Sequence, residues 1–329
     1  MMRAVVVESA GAPTKVVEIE KPIPARGEVL VRIAASGVNP LDTKIRAGAA
    51  AHARHPFPVT LGIDLAGTVE HVGEHVTEFS PGDEVYGMTG GVGGIQGTLA
   101  DYGAVDARLL ARKPRHLSMR ESAAIPLAFI TAWEGLVDRA RIRAEHTVLV
   151  QGGAGGVGHM AIQIARSFGS RVYATASARK RQVVEQFGAT FIDYTSTTLK
   201  EDVARHTNGV GFDLVFDCRG GAVLDASFEA VTRFGHVVSA LGWGTHSLAP
   251  LSFKAASYSG IFTLYPLLSG EGREHHGRIL REATRLADSG RLTAWVDPHE
   301  FTLETVDEAH EWVSQGFASG KLVVSVCVC

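Results

Sequence analysis

A glycine-rich turn stands between a predicted strand and a predicted helix in the middle of the chain. The segment TVLVQGGAGGVGHMAIQIARSFG places Gly153, Gly155 and Gly158 in G-x-G-x-x-G spacing. The first glycine permits a tight turn, the second lets a pyrophosphate approach the backbone, and the third allows the helix to pack closely on the strand. The free N–H groups that begin the helix would face the phosphates. Because RVYATA supplies the next strand, this context predicts a dinucleotide site rather than an ordinary glycine-rich turn.

The end of that next strand indicates which dinucleotide is bound. An NAD-specific site would offer Asp or Glu to the ribose hydroxyls here, whereas this chain offers Ser177, Ala178, Arg179 and Lys180. A carboxylate would repel a 2′-phosphate, while each charge-assisted hydrogen bond from Arg or Lys contributes roughly 1.5 to 3 kcal/mol. The sequence therefore favours NADP(H) as the cofactor. The alternative is that Arg179 and Lys180 only begin the solvated face of the helix ARKRQVVEQF.

The N-terminal third of the chain has a strand-like pattern. From residue 1 to about residue 120, short β-branched runs such as GEVLVRIAASGV and LAGTVEHVG are punctuated by Gly, Pro and Asp. This spacing predicts a compact β-barrel or sandwich.

The pattern changes after ESAAIPLAFITAWEGL, whose length and apolar content predict a helix. Beyond it, apolar strands alternate with amphipathic helices, which predicts a parallel, doubly wound sheet. REHHGRILREATRLADSG is a further predicted helix, and GKLVVSVCVC is a final strand that we expect to return to the first domain. The predicted strands of the parallel sheet are TVLVQ (147–151), RVYATA (171–176), TFID (190–193), DLVFD (213–217), HVVSAL (236–241) and GIFTL (260–264).

The composition argues against several classes of partner. The chain of 329 residues has a formal net charge of -3 and no long Lys/Arg block, which argues against nucleic acid or an anionic membrane as the main partner. No apolar run approaches the roughly 20 residues that a membrane helix needs, and the N-terminus is typical of a strand rather than of a signal peptide. The three cysteines, Cys218, Cys327 and Cys329, are expected to be reduced thiols. We therefore expect a cytoplasmic protein.

Several further segments follow one another in an order typical of one family. They are GVNPLD (37–42), LGIDLAGTV (61–69), GDEVYG (82–87), GTLADY (97–102), AAIPLAFITAW (123–133), GGAGGVG (152–158), GATFIDY (188–194) and GKLVV (320–324). Through them the chain resembles, over essentially its whole length, a zinc-free medium-chain dehydrogenase/reductase of the quinone oxidoreductase group. The resemblance implies an α/β protein with a GroES-like β-barrel catalytic domain, residues 1–121 completed by 265–329, and a Rossmann dinucleotide-binding domain, residues 122–264.

The resemblance also implies roles for particular positions. Thr131 would lie near the nicotinamide, and Asn39 could hold the nicotinamide ribose. A homodimer joined through the GIFTL strand is implied as well. The remaining cofactor contacts that it implies are Gly155, Gly156 and Val157 on the pyrophosphate, Ser177, Arg179, Lys180 and Tyr194 around the 2′-phosphate, Leu241, Gly242, Phe262 and Leu264 at the nicotinamide end, and Lys321, a basic residue that can reach the cofactor.

The residues that bind catalytic zinc in related dehydrogenases are replaced. Zinc-dependent relatives carry a cysteine at the position of Asn39, and a histidine followed by a glutamate at Ile63 and Asp64. Zinc is normally held by His, Cys or carboxylate ligands, and the histidines show no ligand-like spacing with cysteine, so no metal site is predicted. Without a metal to stabilise an alkoxide, the chemistry favours an acceptor that is already electrophilic, such as a quinone or an enone.

The segment GVNPLDTKIRAG holds the candidate catalytic residues. Asn39, which we expect in a turn, could donate a hydrogen bond to the substrate oxygen or could bond only its own backbone. Lys44 replaces the tyrosine that quinone reductases often carry, and it could aid protonation of an enolate or be a solvated lysine; Arg46 has the same two interpretations. Asp42 is better explained as a cap than as a catalytic base, since it would repel an anionic product.

The function that these features favour is NADPH-dependent transfer of hydride to quinones or α,β-unsaturated carbonyls without a metal. Two alternatives stay open. One is an enoyl-thioester reductase, which shares the fold, and the other is a non-catalytic, crystallin-like protein that binds NADPH.

Overall fold

The computed structural model describes residues 1–327, which divide into two compact units. The β-rich unit comprises Met1–Leu127 and the described part of Leu264–Cys329, and the parallel-sheet unit comprises Ala128–Thr263. No helix in residues 1–327 combines the length and the apolar character that crossing a membrane requires.

The N-terminal part of the β-rich unit consists of short strands, as its β-branched runs predict. A short helix, α1 (Pro40–Arg46), follows the long third strand. The strands are β1 (Met2–Val7), β2 (Lys15–Ile19), β3 (Glu28–Gly37), β4 (Val59–Thr60), β5 (Asp64–Val72), β6 (Glu84–Met88), β7 (Tyr102–Asp106) and β8 (Leu110–Arg112).

Two helices replace the single helix predicted for ESAAIPLAFITAWEGL. Helix α2 covers Met119–Ala123, and helix α3 covers Pro126–Trp133 and continues into a π-helical segment, Glu134–Arg139. Pro126 has no backbone N–H and cannot continue a preceding helix, but its fixed φ suits the first position of a new one. The prediction was therefore wrong about continuity because it ignored the proline.

The parallel-sheet unit confirms the doubly wound sheet predicted from the alternation of strands and helices. Its strands lie in the order β11-β10-β9-β12-β13-β14, and every neighbouring pair is parallel. Leu149 and Val215 of the sheet pack with Phe228 in one buried hydrophobic core. The elements in chain order are β9 (Thr147–Gln151), α4 (Gly156–Ser167), β10 (Arg171–Ala176), α5 (Arg181–Gln186), β11 (Thr190–Asp193), α6 (Leu199–Thr207), β12 (Phe212–Asp217), α7 (Ala222–Ala230), β13 (Val231–Ser239), α8 (Ala249–Phe253) and β14 (Ser257–Gly260).

The last predicted strand of this sheet, GIFTL (260–264), is displaced. The strand is Ser257–Gly260, which pairs in register with His236–Ser239 of β13. Because β13 ends at Ser239, the residue pairing stops at Gly260, and the last hydrogen bond runs from the Ile261 N–H to the Ser239 carbonyl over 3.0 Å. The prediction followed the apolar character of the segment, whereas the length of the neighbouring strand sets the true end.

The C-terminal part of the chain completes the β-rich unit. Strand β16 pairs antiparallel with β3, and the sheet has the order β15-β16-β3-β5-β6-β8, with β7 also on β3. The predicted strand GKLVVSVCVC is shorter than expected in its described part, and Val328 and Cys329 lie outside the described residues. The elements here are α9 (Tyr265–Ser269), α10 (Arg273–Asp288), β15 (Phe301–Thr302), α11 (Val306–Gln315) and β16 (Val323–Ser325).

Candidate active site

Asn39 begins helix α1 rather than forming a simple turn. Its backbone is extended, with φ -120° and ψ 150°, and Pro40 takes the first helical position. The Asn39 N–H donates to Asp42 Oδ2 over 2.8 Å. This bond is the backbone half of a capping box, which stabilises the first turn of a helix. Asp42 is therefore a capping residue.

The Asn39 side chain lies in a buried polar cluster in the β-rich unit, which we call the Asn39 cluster: Asn39, Asp42, Asp64 and Lys321. Asn39 Nδ2 donates to Asp64 Oδ2 over 2.9 Å, and Asn39 Oδ1 accepts a short hydrogen bond from Lys321 Nζ. The four residues are between 0% and 6% exposed. Because the amide oxygen faces an ammonium donor and the amide nitrogen faces a carboxylate acceptor, the orientation of the Asn39 amide is fixed.

Asp64 and Lys321 are each held by a second bond. Asp64 Oδ1 accepts from the Leu127 N–H over 2.9 Å, and Lys321 Nζ donates to the Val38 carbonyl over 3.0 Å. The Lys321 ammonium lies 3.9 Å from Asp64 Oδ2. These bonds hold a lysine and a carboxylate of opposite charge on either side of one amide.

Burial dominates the titration of the cluster. It raises the pKa of Asp42 to about 7, against the opposing hydrogen bond from the Asn39 backbone. It raises the pKa of Asp64 to about 6, against the opposing charge of Lys321, and it lowers the pKa of Lys321. Strongly perturbed groups of this kind are common at functional sites.

The cluster does not fit a zinc ion. Its members offer one amide and one ammonium beside two carboxylates, and the ammonium would repel a cation. Within residues 1–327, no group of three or more His, Cys, Asp or Glu residues could hold a metal.

The other two catalytic candidates lie elsewhere on α1. Lys44 is exposed to solvent. Arg46 forms an ion pair with Asp307 over 2.9 Å and donates from Nε to the Ala12 carbonyl over 3.2 Å. The structure thus places Asn39 in the buried cluster, Lys44 at the surface and Arg46 in a contact that ties α1 to α11.

A pocket of about 440 Å³ opens beside the C-terminal end of α1. His55, in its wall, accepts the Gly94 N–H at Nδ1 over 3.2 Å, so its Nε2 carries the proton and donates to the Thr60 carbonyl over 3.3 Å. Burial lowers the pKa of His55. The His55 side chain is therefore neutral, and its role is structural. The lining residues are Ile45, Gly48, Ala50, Ala51, Arg54, His55, Pro56 and Phe57.

The glycine turn of the parallel-sheet unit joins β9 to α4. Gly152, not Gly153, takes the positive φ of 82° that the tight turn needs. A Cβ on Gly153 would lie 2.6 Å from the Ala174 Cβ, so this glycine serves close packing instead. The role predicted for Gly153 was wrong because two consecutive glycines precede Ala154, and spacing alone does not say which one makes the turn.

Gly158 and Gly155 differ in the space around them. A Cβ on Gly158 would lie 2.2 Å from the Gly152 carbonyl oxygen, so only glycine lets α4 pack this closely on the turn. A Cβ on Gly155 would meet that oxygen at 3.3 Å and no other atom within 4 Å, so the other sides of that Cβ position are open. Gly155 is the N-cap of α4 and offers no side-chain cap. The first N–H groups of the helix, at Gly156, Val157 and Gly158, have no intrahelical acceptor and are suited to an anion.

The predicted 2′-phosphate residues follow two neighbouring strands. Ser177, Arg179 and Lys180 come directly after β10, and Tyr194 comes directly after β11. Arg179 is exposed, Lys180 is half-buried and Tyr194 is 61% exposed. Since β10 and β11 are parallel neighbours, these residues lie at the same edge of the sheet.

Polar side chains end four adjacent strands of this sheet, and sequence reasoning missed them. Gln151 Oε1 accepts from Thr175 Oγ1 over 2.8 Å, and Thr175 Oγ1 accepts from the Gly152 N–H over 3.0 Å. On the next strands, Asp217 Oδ2 accepts from Ser239 Oγ over 2.7 Å. A polar residue at or beside the end of each apolar run was the available signal. These bonds fix the loops that begin at the carboxyl edge of the sheet.

The residues assigned to the nicotinamide end fall into different local settings. Thr131 is buried, and its Oγ1 lies 3.1 Å from Thr263 Oγ1. The Leu241 N–H donates to Ser239 Oγ over 3.0 Å, which continues the polar network of the strand ends. Gly242 is exposed, Phe262 packs edge-on against Trp243 with ring centroids 6.1 Å apart, and Leu264 is buried.

Two family descriptions match the chain. Residues 25–115 match the alcohol dehydrogenase GroES-like domain, and residues 156–269 match the zinc-binding dehydrogenase family.

Curated relatives match most of the sequence. A 2-methylene-furan-3-one reductase of Solanum lycopersicum is 35% identical over 90% of this chain and 71% of its own length. An NADPH-dependent alkenal/one oxidoreductase, chloroplastic, of Arabidopsis thaliana is 34% identical over 90% of this chain and 72% of its own length. A quinone oxidoreductase of Homo sapiens is 30% identical over 98% of both chains.

Solved structures match nearly the full chain. An alcohol dehydrogenase superfamily protein from Novosphingobium aromaticivorans is 55% identical, with a TM-score of 0.98 over 99% of this chain and 100% of that one. The CurK enoyl reductase is 27% identical, with a TM-score of 0.87 over 99% of both chains. A quinone oxidoreductase from Coxiella burnetii is 26% identical, with a TM-score of 0.83 over 99% of both chains.

Proposed function

Because the chain belongs to the quinone oxidoreductase group of the medium-chain dehydrogenases/reductases, we propose that it transfers hydride from NADPH to a quinone or an α,β-unsaturated carbonyl without a metal. The observation that carries this proposal is the Asn39 cluster, where an amide stands at the position of the zinc-binding cysteine and accepts a hydrogen bond from the buried ammonium of Lys321. Such a site favours an acceptor whose own conjugated oxygen takes up the negative charge.

The glycine turn fits the dinucleotide that this reaction needs. The uncapped amides of Gly156, Val157 and Gly158 and the open face of Gly155 would hold the pyrophosphate. When bound, NADPH supplies the hydride. The preference for NADPH over NADH rests on Arg179 and Lys180 after β10, where an NAD-specific site would carry a carboxylate.

Lys321 is the residue that we propose to act on the acceptor oxygen. An ammonium has three N–H donors. Two of them are directed to the Val38 carbonyl and Asn39 Oδ1, which leaves the third for a ligand oxygen. A charged donor strengthens as the oxygen gains negative charge, and it would stabilise the enolate or hydroquinone anion until solvent protonates it. Asn39 then orients the ammonium and is not itself the donor to the substrate.

The names of the relatives support the acceptor class. The tomato and Arabidopsis relatives are named for enone and alkenal reduction, and the human relative for quinone reduction. The second candidate is reduction of enoyl thioesters, which the similarity to the CurK enoyl reductase favours. Both candidates place hydride on a conjugated double bond.

The proposal also includes an oligomeric state and a cellular location. We propose a homodimer joined through the edge strand β14, which has one neighbour, β13, in the described sheet. We also propose a cytoplasmic location, in keeping with the reduced thiols expected from the sequence. Light scattering of the purified protein gives the oligomeric state directly.

A screen of NADPH oxidation tests the function. The purified protein is mixed with quinones, enones, enoyl thioesters and aldehydes, and the loss of absorbance at the nicotinamide band is followed. We expect turnover with quinones or enones and none with simple aldehydes. Oxidation with neither quinones nor enones contradicts the proposal, and oxidation confined to enoyl thioesters establishes the second candidate.

A further inference from the structure

The strand order of the parallel-sheet unit identifies the topological switch point of the sheet, which lies between β9 and β12. Strand β9 lies between β10, its successor in the chain, and β12. The connections after β9 and after β12 therefore leave in opposite directions, which makes the gap between these two strands the topological switch point. Ligands of doubly wound sheets bind outside the carboxyl ends of the strands at such a point. The glycine turn follows β9, and the loop that begins at Cys218 follows β12.

Arg219 lies in that second loop and reaches over the glycine turn. Its Cδ and Cγ lie 3.0 Å and 3.3 Å from the point that a Cβ on Gly152 would occupy. The stem of the arginine thus fills the space left by the missing side chain. Helix α4 packs on the carbonyl of the same Gly152, so the arginine and the first turn of that helix both contact this residue.

The backbone of Arg219 is held in place by the strand ends. Its N–H donates to Asp217 Oδ1 over 2.9 Å. The preceding residue, Cys218, donates its N–H to the Gln151 carbonyl at the end of β9 over 3.2 Å. Asp217 is fully buried and also accepts from Gly220 and Ser239. The loop is therefore a fixed support for the arginine rather than a free surface segment.

The guanidinium of Arg219 forms no ion pair in the part of the chain that the structure describes. The side chain is exposed, and within residues 1–327 no ion pair or side-chain hydrogen bond joins it to another residue. A positive charge beside a helix N-terminus is unfavourable, because the helix dipole is positive there as well. An anion bound between the two would remove that repulsion.

We infer that Arg219 is an additional cofactor-binding residue whose guanidinium contacts the pyrophosphate of the dinucleotide. Guanidinium groups bind phosphate oxygens in a bidentate manner, and the contact would be common to NADPH and NADH. The inference rests on the dinucleotide part of the proposed function and is independent of the acceptor. It assigns different residues to the two phosphate groups of the cofactor. Arg219 would bind the pyrophosphate, and Arg179 and Lys180 would bind the 2′-phosphate.

The test compares binding of three probes to purified variants by calorimetry. Arg219→Met keeps an unbranched stem and removes the charge, Arg219→Lys restores a charge, and Arg233→Gln removes an exposed arginine at the opposite end of β13 as the control. The probes are NADPH, NADH and adenosine 2′-monophosphate, which has the 2′-phosphate but no pyrophosphate.

We expect Arg219→Met to raise the Kd of NADPH and NADH by a similar factor, about tenfold, from the loss of a charge-assisted contact. The Kd of adenosine 2′-monophosphate and the binding by Arg233→Gln should stay unchanged. Arg219→Lys should recover part of the affinity, and the salt dependence of NADPH binding should weaken in Arg219→Met.

Three outcomes overturn the inference. They are a Kd of both dinucleotides within twofold of the parent protein, a loss confined to NADPH, and an equal loss for adenosine 2′-monophosphate. Failure to bind any dinucleotide in the parent protein removes the cofactor assignment together with this inference. Binding of NADPH without reduction of any acceptor removes only the proposed reaction and leaves the role of Arg219 intact.

Discussion

Asn39 Nδ2 donates a hydrogen bond to Asp64 Oδ2 over 2.9 Å, at the two positions where zinc-dependent relatives carry a cysteine and a glutamate. Lys321 then bonds the other end of the same amide. Burying a lysine and two carboxylates costs several kcal/mol per ion, and well-packed apolar residues would often be at least as stable. A cluster that is poor for stability is therefore better explained by what it does for a ligand.

Removing one member of this cluster should destabilise the protein. Asp64→Asn leaves the buried Lys321 ammonium without its nearest countercharge, and breaking a buried pair costs about 3 to 5 kcal/mol. We expect a fall of that order in the free energy of unfolding, measured with urea. Lys21→Met is the matched control, because the Lys21–Glu70 pair is partly exposed and its loss should cost less than about 1 kcal/mol.

The double variant Asp64→Leu, Lys321→Met separates stability from activity. Removing both charges together should restore much of the free energy of unfolding. Turnover should stay at least about tenfold below that of the parent protein, because the charged donor to the acceptor oxygen is gone. Restored stability with full turnover would mean that the cluster has no catalytic part.

The pH dependence of the free energy of unfolding should reflect protonation of the Asp42 carboxyl group. Its folded pKa is raised to about 7, above the value near 3.9 of an unfolded aspartate. Between these values the folded state holds the extra proton, so this group makes the free energy of unfolding fall as pH rises from about 4 to about 7. Asp42→Asn keeps an oxygen for the Asn39 N–H and cannot titrate. Urea unfolding at pH 5 and at pH 7 should therefore show a smaller loss in the variant, and equal losses would contradict the shift.

Much of the fold could be predicted from the sequence because its signals are local. The strands RVYATA and TFID have the predicted bounds, since short apolar runs between polar turns leave little choice. GIFTL could not be placed, because the end of β14 depends on where β13 ends. The sequence pattern of one segment gives no information about the length of a neighbouring strand.

The site was predicted less completely because its contacts join distant parts of the chain. Asn39 and Lys321 are 282 positions apart, and the bond between them depends on β16 returning to β3. Both residues could be named from the sequence, but the hydrogen bonds of the Asn39 side-chain amide could not. Asp64 entered only as a lost zinc ligand, and Arg219 not at all, because one arginine after a strand has no distinctive pattern.

Lys44→Ala should leave turnover nearly unchanged. Lys44 is exposed on α1 while the proposed donor is the buried Lys321. We expect kcat and KM within about twofold of the parent protein, since exposed substitutions away from special contacts have small effects. Arg46→Ala is the companion variant, and it should cost at most about 1 kcal/mol of stability through loss of its partly exposed pair with Asp307. A tenfold fall in kcat for Lys44→Ala would assign it a part in protonation.

Two glycine substitutions should separate folding from cofactor binding. Gly158→Ala places a Cβ 2.2 Å from the Gly152 carbonyl oxygen, so α4 must move and the free energy of unfolding should fall by about 1 to 3 kcal/mol. Gly155→Ala meets its nearest atom at 3.3 Å and keeps an allowed φ of -89°. It should cost less than about 1 kcal/mol. It should nevertheless raise the Kd of NADPH, because the new methyl group occupies the side that the pyrophosphate approaches. Unchanged NADPH binding by Gly155→Ala would place the phosphates elsewhere.

Arg179→Ala should change the choice between the two dinucleotides. Arg179 is exposed directly after β10, where a 2′-phosphate would lie, and a lost charge-assisted hydrogen bond corresponds to about tenfold in affinity. We expect KM for NADPH to rise by about that factor while KM for NADH stays constant. Arg205→Ala, an exposed arginine on α6 of the same unit, is the control for a general loss of positive charge. If the parent protein already uses NADH as well as NADPH, or if Arg179→Ala weakens both equally, the basic strand end does not select the cofactor.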